Sequence, residues 1–295
     1  METSGKTIRI IANVVLIICS IGCIVPILLL LMSSLTSEKA LVTGGYTLFP
    51  SEFSLETYIY LWSSRAQFLR AYKMTILTTA VGTTTNLLLT LMMAYPLSRK
   101  TMPGRNFFAF FLFFTMLFHG GLVPTYLVYS QVVKIKDTFF ALIVPNLLLN
   151  AFGVIVMRTY FTTNVPDEIL EATRIDGGGE FRVLFSVVLP ISRPIIATIA
   201  LMSGLAFWND WTNGMYYILQ RTDLYTIQNV LNRIITSADF ISNNEANAAI
   251  GSGVTIPSVG VRMAIAIIAI LPIMVIYPFF QKSFIKGIVI GGVKG

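Results

Sequence analysis

The sequence predicts an all-α polytopic membrane protein with six transmembrane helices, and three observations carry that prediction. Apolar residues make up 55% of the 295 positions and charged residues 12%, whereas a soluble globule carries about 25% charge because its surface faces water. Mean hydropathy is +0.75. Six runs stay uncharged, or nearly so, over the roughly 20 residues a helix needs to cross the hydrocarbon core. The runs are continuous rather than alternating, which calls for helices and not a barrel. Soluble enzyme classes are thereby excluded. The formal net charge of +7 reads as the lysine and arginine excess of one membrane face, with no nucleic-acid partner implied.

The runs are 10–32, 74–98, 106–133, 138–157, 194–220 (interrupted only by Asp210) and 263–281. The first follows Lys6 and Arg9 as a secretory leader would. Its 23 uncharged residues exceed a leader's apolar core of about 7–15, and no small-residue cleavage site follows, so it reads as a retained span. Cys19 and Cys23 share one helix face there. With no histidine or carboxylate nearby they read as packing residues rather than metal ligands.

An even number of spans puts both termini on one side. That face, from Lys6, Arg9, Arg99, Lys100, Arg105, Lys282, Lys286 and Lys294, holds eight basic residues against one acid, Glu2. The opposite face holds nine basic residues and eight acids. Short loops at span ends weigh most, and the loop from Arg99 is one, so both termini are placed in the cytoplasm. Outside lie two longer segments, 33–71 and 221–260. In these, Phe53-Ser54-Leu55 and Tyr58 to Trp62 suggest short interfacial helices, and Gly251-Ser252-Gly253 with Pro257 marks a loop.

The cytoplasmic segment 158–193 is the most charged part of the chain, with four basic and five acidic residues. It reads as two helices and a turn. Pro166 opens the first at N1 with Asn164 as its cap, and Asp167, Glu168 and Glu171 favour its first turns through the helix dipole. Gly177-Gly178-Gly179 breaks it, 180–188 resumes, and Pro190 and Pro194 delimit the return to the membrane. Such a loop is either simply solvated or a docking knob, with small Ala172 allowing close approach.

Spacing distinguishes the two. Glu171-Ala172-Thr173, then Gly177, then Val187-Val188-Leu189-Pro190 keeps the pattern E-A-A, three residues, G, nine residues, I-x-L-P. It resembles the EAA loop of ABC-importer permeases, with Thr173 for the second alanine and Val187 for the isoleucine. Ala94 to Lys100, Gly120 to Tyr126, and the tail from Gln281 to Gly287 and Gly292 to Gly295 resemble the carbohydrate branch of that family, in the maltose-permease G-like group. The resemblance implies an ABC type I importer permease fold, multi-pass in a bacterial cell membrane, serving oligosaccharide import. It implies coupling to ATPases through Glu168, Glu171, Ala172, Thr173, Asp176, Gly177, Leu189 and Pro190. The implied partners are a second homologous permease forming a heterodimer, two cytoplasmic ATPase subunits and an extracytoplasmic sugar-binding protein.

No G-x-x-x-x-G-K-[ST] phosphate loop occurs. No cofactor is therefore assigned to this chain, and ATP and Mg fall to the partner ATPases. The competing class is an ion-coupled secondary sugar transporter, which would need intramembrane acids and inverted repeats; Asp210 is the sole acid inside a run. No nucleophile–base pair is present and no catalytic residue is assigned.

Substrate-path candidates are Trp208, Asn209, Asp210, Trp211 and Asn213. Amides and carboxylates hydrogen-bond sugar hydroxyls, and aromatic rings cover their C–H faces. On one helix Asp210 and Asn209 would share a surface with Asn213. The other reading is an interfacial aromatic belt with interhelical hydrogen bonds. His119, before Gly120, Gly121 and Pro124, reads as a structural residue beside a helix break. Asn86, Asn146 and Asn150 either line the path or join helices, and joining is the preferred reading.

Overall fold

The computed structural model describes residues 2–63, 65–245 and 258–292. Among them the protein is mostly helical and no strand forms, apart from an isolated bridge between Thr36 and Phe53. The expected loop markers Gly251-Ser252-Gly253 and Pro257, and Lys294, lie outside the described residues.

In chain order, α1 spans Glu2–Ser34, α2 Glu38–Gly44, α3 Glu56–Ser63, α4 Arg65–Ser98, α5 Arg105–Leu117 and α6 Leu122–Leu127. After a π-turn and a 3-10 turn (Phe139–Leu142) come α7 (Ala151–Asn164), α8 (Asp167–Ile175), α9 (Glu180–Val183) and, beyond a second π-turn (Leu184–Val188), α10 (Leu189–Ile191). The chain continues through α11 (Arg193–Asn209), α12 (Thr212–Tyr217), α13 (Ile227–Glu245) and α14 (Ser258–Gly292). Residues Ile8–Ser34 and Arg65–Ser98 are each long and apolar enough to cross a membrane unaided. Two bent pairs reach the same test jointly: Arg105–Leu117 with Leu122–Val132, bent 113°, and Glu180–Ile191 with Arg193–Asn209, bent 85°.

The helices interrupt the runs in three places, the first being the break expected beside His119 and the other two correcting the uninterrupted reading. The run 106–133 breaks after Leu117, where Gly121 at φ +84° makes the turn and donates its N–H to His119 Nδ1 at 3.1 Å. The run 138–157 becomes α-helical only at Ala151, after the 3-10 turn, capped by Asn150 Oδ1, which accepts from Phe152 N at 2.9 Å. The run 194–220 breaks at Asp210. Backbone that leaves the helix within an apolar run must find other partners, and distant amides supply them. Asn86 Nδ2 donates to the carbonyls of Leu147 and Leu148 at 3.0 and 3.2 Å, and Asn213 Nδ2 to that of Pro145 at 3.0 Å.

Contacts divide the chain into two compact units, Met1–Phe68 with Val230–Val275, and Leu69–Asn229 with Ile276–Gly295. In the first, Leu61, Leu231, Val261, Ala264, Ile265 and Ala269 form the core. Glu38 accepts from the N–H groups of Val259 and Gly260 at 3.0 and 2.9 Å, an acid at the positive end of α14. Tyr58 to Trp62 fall in α3 as expected. Phe53 to Leu55 do not form a helix, because Ser54 N pairs with Leu35 O at 2.9 Å and Ser54 Oγ accepts from Glu56 N, leading into α3.

In the second unit the core joins Leu91, Ala94, Tyr95 and Leu97 of α4, Leu112 of α5, Val154, Met157 and Phe161 of α7, and Ile195 and Ile199 of α11. Leu170, Val183, Leu184 and Val188 of the charged loop belong to that same core. Each such buried side chain contributes about 1.5–3 kcal/mol of transfer free energy, as an upper estimate. That loop therefore shares one core with the helices it joins. Gly82 lets α4 approach α11, for a Cβ there would fall 2.5 Å from the Phe207 ring.

Candidate functional site

Residues 167–191 fold as an elbow. Pro166 occupies the N-cap position of α8 rather than N1, and Val165 before it is extended, as a residue preceding proline prefers. Asn164 does not cap the helix. Its amide turns back to Tyr160 O at 3.2 Å and Thr163 Oγ1 at 2.7 Å. Asp167 and Glu168 do stand in the first turn and Arg174 in the last, each matched to the dipole.

The turn after α8 is a complete Schellman motif. Gly177 at φ +80° donates to Arg174 O at 3.0 Å, and Gly178 donates to Thr173 O at 2.9 Å. Gly177 is glycine for its left-handed backbone, since a Cβ there would meet open space. Gly178 is glycine for room, since its Cβ would fall 2.7 Å from Thr173 O. Leu170 anchors α8 inward, while Glu168, Glu171, Ala172, Asp176 and Gly177 face outward and Thr173 is half-buried. Beside these acids the elbow exposes Ile175 (85%), Phe181 (70%) and Ile169 (43%). Leu189 and Pro190 do not join this surface. They sit at the foot of the elbow, where the π-turn ends and the chain bends into α11.

Sequence reading missed what clamps the elbow to α4. Arg99, only 8% exposed, donates from Nη1 to Asp167 Oδ1 at 3.1 Å, from Nη2 to Phe161 O at 3.3 Å and from Nε to Ser98 Oγ at 2.9 Å. Tyr95 Oη donates to Glu180 Oε2 at 2.5 Å, and Arg174 Nε to Glu180 Oε1 at 2.9 Å. Glu180 thus ties both limbs of the elbow to the last turn of α4. Between them lies a cleft of about 380 Å³ lined by Tyr95, Arg99, Met102, Arg174, Glu180 and Phe181. Glu180's place after the glycine run was the only available signal, and one sequence cannot reveal its partner 85 residues away.

Arg174, then Tyr95, hold the Glu180 carboxyl below its ordinary range. With the folded value below the unfolded one of about 4.3, the clamp is at full strength above that pH and is lost as pH falls through the folded value. The packing of the elbow on α4 is therefore expected to be flat between about pH 5 and 8 as far as this group is concerned. Glu180→Gln is expected to leave residues 167–180 easier to cleave at neutral pH. Limited proteolysis across that range checks this, and a sigmoid centred near the ordinary histidine value of about 6.5 that vanishes in Glu180→Gln would contradict it.

The second candidate site is not the single helix face that spacing suggests. The helix ends at Asn209, and Asp210 Oδ1 accepts from the N–H groups of Thr212 and Asn213 at 3.1 and 3.4 Å, starting α12. Asn213 is buried and bonded to Pro145 O. Trp208 is buried, and Trp211 is 43% exposed with its carbonyl accepting from Asn229 Nδ2 at 2.7 Å. Asn209 Oδ1 accepts from Gln228 at 3.4 Å. These contacts brace a helix break. Among the described residues no group of three or more His, Cys, Asp or Glu is placed to hold a metal.

Known proteins resemble the chain along most of its length. Residues 87–290 match the family described as binding-protein-dependent transport system inner membrane component. Protein LplC of Bacillus subtilis (strain 168) is 37% identical over 272 residues, 92% of this chain and 90% of that one. The polygalacturonan/rhamnogalacturonan transport system permease protein YtcP of the same organism is 33% identical over 280 residues, 95% of this chain and 96% of that one. Among solved structures, a chain of a bacterial ABC transporter involved in the import of the acidic polysaccharide alginate superposes with a TM-score of 0.79. It is 27% identical, covering 95% of this chain and 98% of that one.

Proposed function

The chain belongs to the family of binding-protein-dependent transport system inner membrane components, and on that premise we propose that it is one of two permease subunits of an ATP-driven oligosaccharide importer. The observation that carries the reading is the elbow. It is built into the helical core on one side and presents acids and exposed apolar side chains on the other, as a rigid lever grasped by a separate motor must. Glu168, Glu171, Ala172, Thr173, Asp176 and Gly177 would form the grasped surface, and Leu189 and Pro190 the fulcrum. ATP and Mg would bind in two partner ATPases. ATP would shift the permease between two arrangements only through its different affinity for them.

We further propose six crossings with both termini cytoplasmic. The contact of Arg99 with Asp167 supports this, because an even number of crossings between them would bring the loop from Arg99 and the elbow to one face. The cargo is an oligosaccharide delivered by an extracytoplasmic binding protein. Relatives named for polygalacturonan/rhamnogalacturonan and alginate make uronate-bearing oligomers the first to test.

The test is uptake into vesicles carrying this chain with its partner permease, the ATPases and the binding protein. Uptake is expected to require ATP and the binding protein, and to survive collapse of proton and sodium gradients. Uptake that runs without ATP and stops with an ionophore would establish the ion-coupled alternative instead.

A further inference from the structure

A second cleft, of about 240 Å³, lies among α4, the non-helical stretch before α7, and α11. On the six-crossing reading it lies near mid-membrane. Asn86, Leu147 and Phe207 line it, and each stands at or beside the midpoint of its uncharged run (74–98, 138–157 and 194–220). Its polar groups fall into two sets. Asn86 is spent on structure, giving Nδ2 to two carbonyls while its Oδ1 accepts from Ser203 Oγ at 2.7 Å. Asn146 and Asn150 are exposed. Among the described residues the Asn146 carboxamide has no partner, and Asn150 uses only its Oδ1, leaving its amide donor open.

Asn146 also holds a left-handed backbone, φ +62°, a conformation asparagine tolerates better than most residues. Open amides and irregular backbone at this depth cannot face lipid, and they are tolerated where they line a water-filled cavity. No charged side chain lines the cleft, and the half-exposed Phe152 and Met202 border the amides.

Resting on the importer reading above, we propose that this cleft is a subsite for one sugar ring of the passing oligosaccharide. Asn146 and Asn150 bind ring hydroxyls, and Phe152 and Met202 cover the ring's C–H face. The amides offer both donors and an acceptor, which suits hydroxyls. With no cation present, the subsite takes the hydroxyl-bearing face of a ring rather than its carboxylate. Its volume lies below that of ordinary ligand pockets, about 300–1,000 Å³, as befits one ring of a chain in transit.

The test uses the complete importer in vesicles, with trigalacturonate, arabinotriose and raffinose as probes. Asn146→Gly keeps the left-handed backbone and removes the amide. It is expected to raise KM for whichever probe the wild type carries by about three- to tenfold, the worth of one or two hydrogen bonds. Met202→Trp fills the cleft and is expected to abolish uptake. Copurification of both variants with the partner permease and ATPases is the control for folding and assembly. Independently of turnover, Met202→Cys in a Cys19→Ser, Cys23→Ser background is expected to react with a charged, membrane-impermeant thiosulfonate, more slowly when the transported probe is present. Wild-type KM in Asn146→Gly with full uptake in Met202→Trp overturns the subsite, and so does an introduced thiol in Met202→Cys that never reacts. A wild-type complex that carries no probe with ATP overturns the importer reading itself, and the subsite with it.

Discussion

In vesicles bearing the complete importer, Gly177→Arg is expected to abolish coupled uptake while the subunit still inserts and the ATPases still hydrolyse ATP. The cause is backbone geometry. Gly177 sits at φ +80°, where a side chain costs about 1–2 kcal/mol, and its N–H and that of Gly178 close the two bonds that terminate α8. A penalty of that size shifts the population of the correct turn by about 5- to 30-fold. A misdirected turn repoints Glu171 and Ala172 relative to the limb that follows. Three substitutions separate the causes. Gly177→Asn tolerates the left-handed conformation and is expected to retain most uptake, whereas Gly177→Ala is expected to lose much of it. If Asn and Ala fail alike, the position matters as a contact surface, because its Cβ direction is open. Glu171→Lys, exposed and clear of the core, is expected to uncouple without touching the fold. If Gly177→Arg and Glu171→Lys both transport at wild-type rates, the elbow is not the lever. Uptake and hydrolysis measured on the same vesicles decide among these outcomes.

What was legible in the sequence was whatever local order encodes. The long α1 and α4 follow from uninterrupted apolar runs, and the elbow follows from acids, glycines and prolines whose roles are fulfilled within a few residues. The break after Leu117 was legible because glycines and a proline cluster there. The breaks within 138–157 and at Asp210 were not, because their stability is remote. The carbonyls of Pro145, Leu147 and Leu148 are satisfied by Asn213 and Asn86, more than 60 residues away, and no hydropathy period records that. For the same reason the polar segment 208–213 read as one amphipathic face, when Asp210 in fact turns the chain and Asn213 is consumed in bracing it. The amides that stay open, Asn146 and Asn150, look in the sequence like joining residues. Only Asn86 of the three joins helices through its side chain, while Asn150 caps its own. In the sequence Arg99 and Tyr95 mark only membrane side and family, since a charge count says nothing of which acceptors a guanidinium reaches.

Arg99 carries the second large effect, because among the described residues it is the buried cation joining α4, α7 and α8. Arg99→Ala frees Asp167, whose side chain is 69% exposed, so water takes over that charge at little cost. The Phe161 carbonyl is different, because Phe161 is fully buried and its acceptor loses a charged donor, about 1–3 kcal/mol. The Arg99 guanidinium also lies over the Tyr95 ring, 5.5 Å from its carbon to the ring centroid, which holds the phenol that reaches Glu180. Losing Arg99 therefore loosens both clamps of the elbow. Arg99→Lys tests whether charge or shape matters. A lysine keeps the positive residue beside the membrane but has no planar fork to reach Ser98, Phe161 and Asp167 together. Both variants are expected to insert normally, to expose the 167–180 segment to protease in inside-out vesicles, and to lower uptake relative to ATP hydrolysis, with Lys close to Ala. Full rescue by Lys would mean that Arg99 acts only as a topological charge, and the rigid link between α4 and the elbow would have to be sought elsewhere. Aspartate replacement discriminates further. Asp167→Asn removes only the exposed ion pair and is expected to cost little, so a defect as deep as that of Arg99→Ala would move the energetic weight from the buried carbonyl to the surface pair.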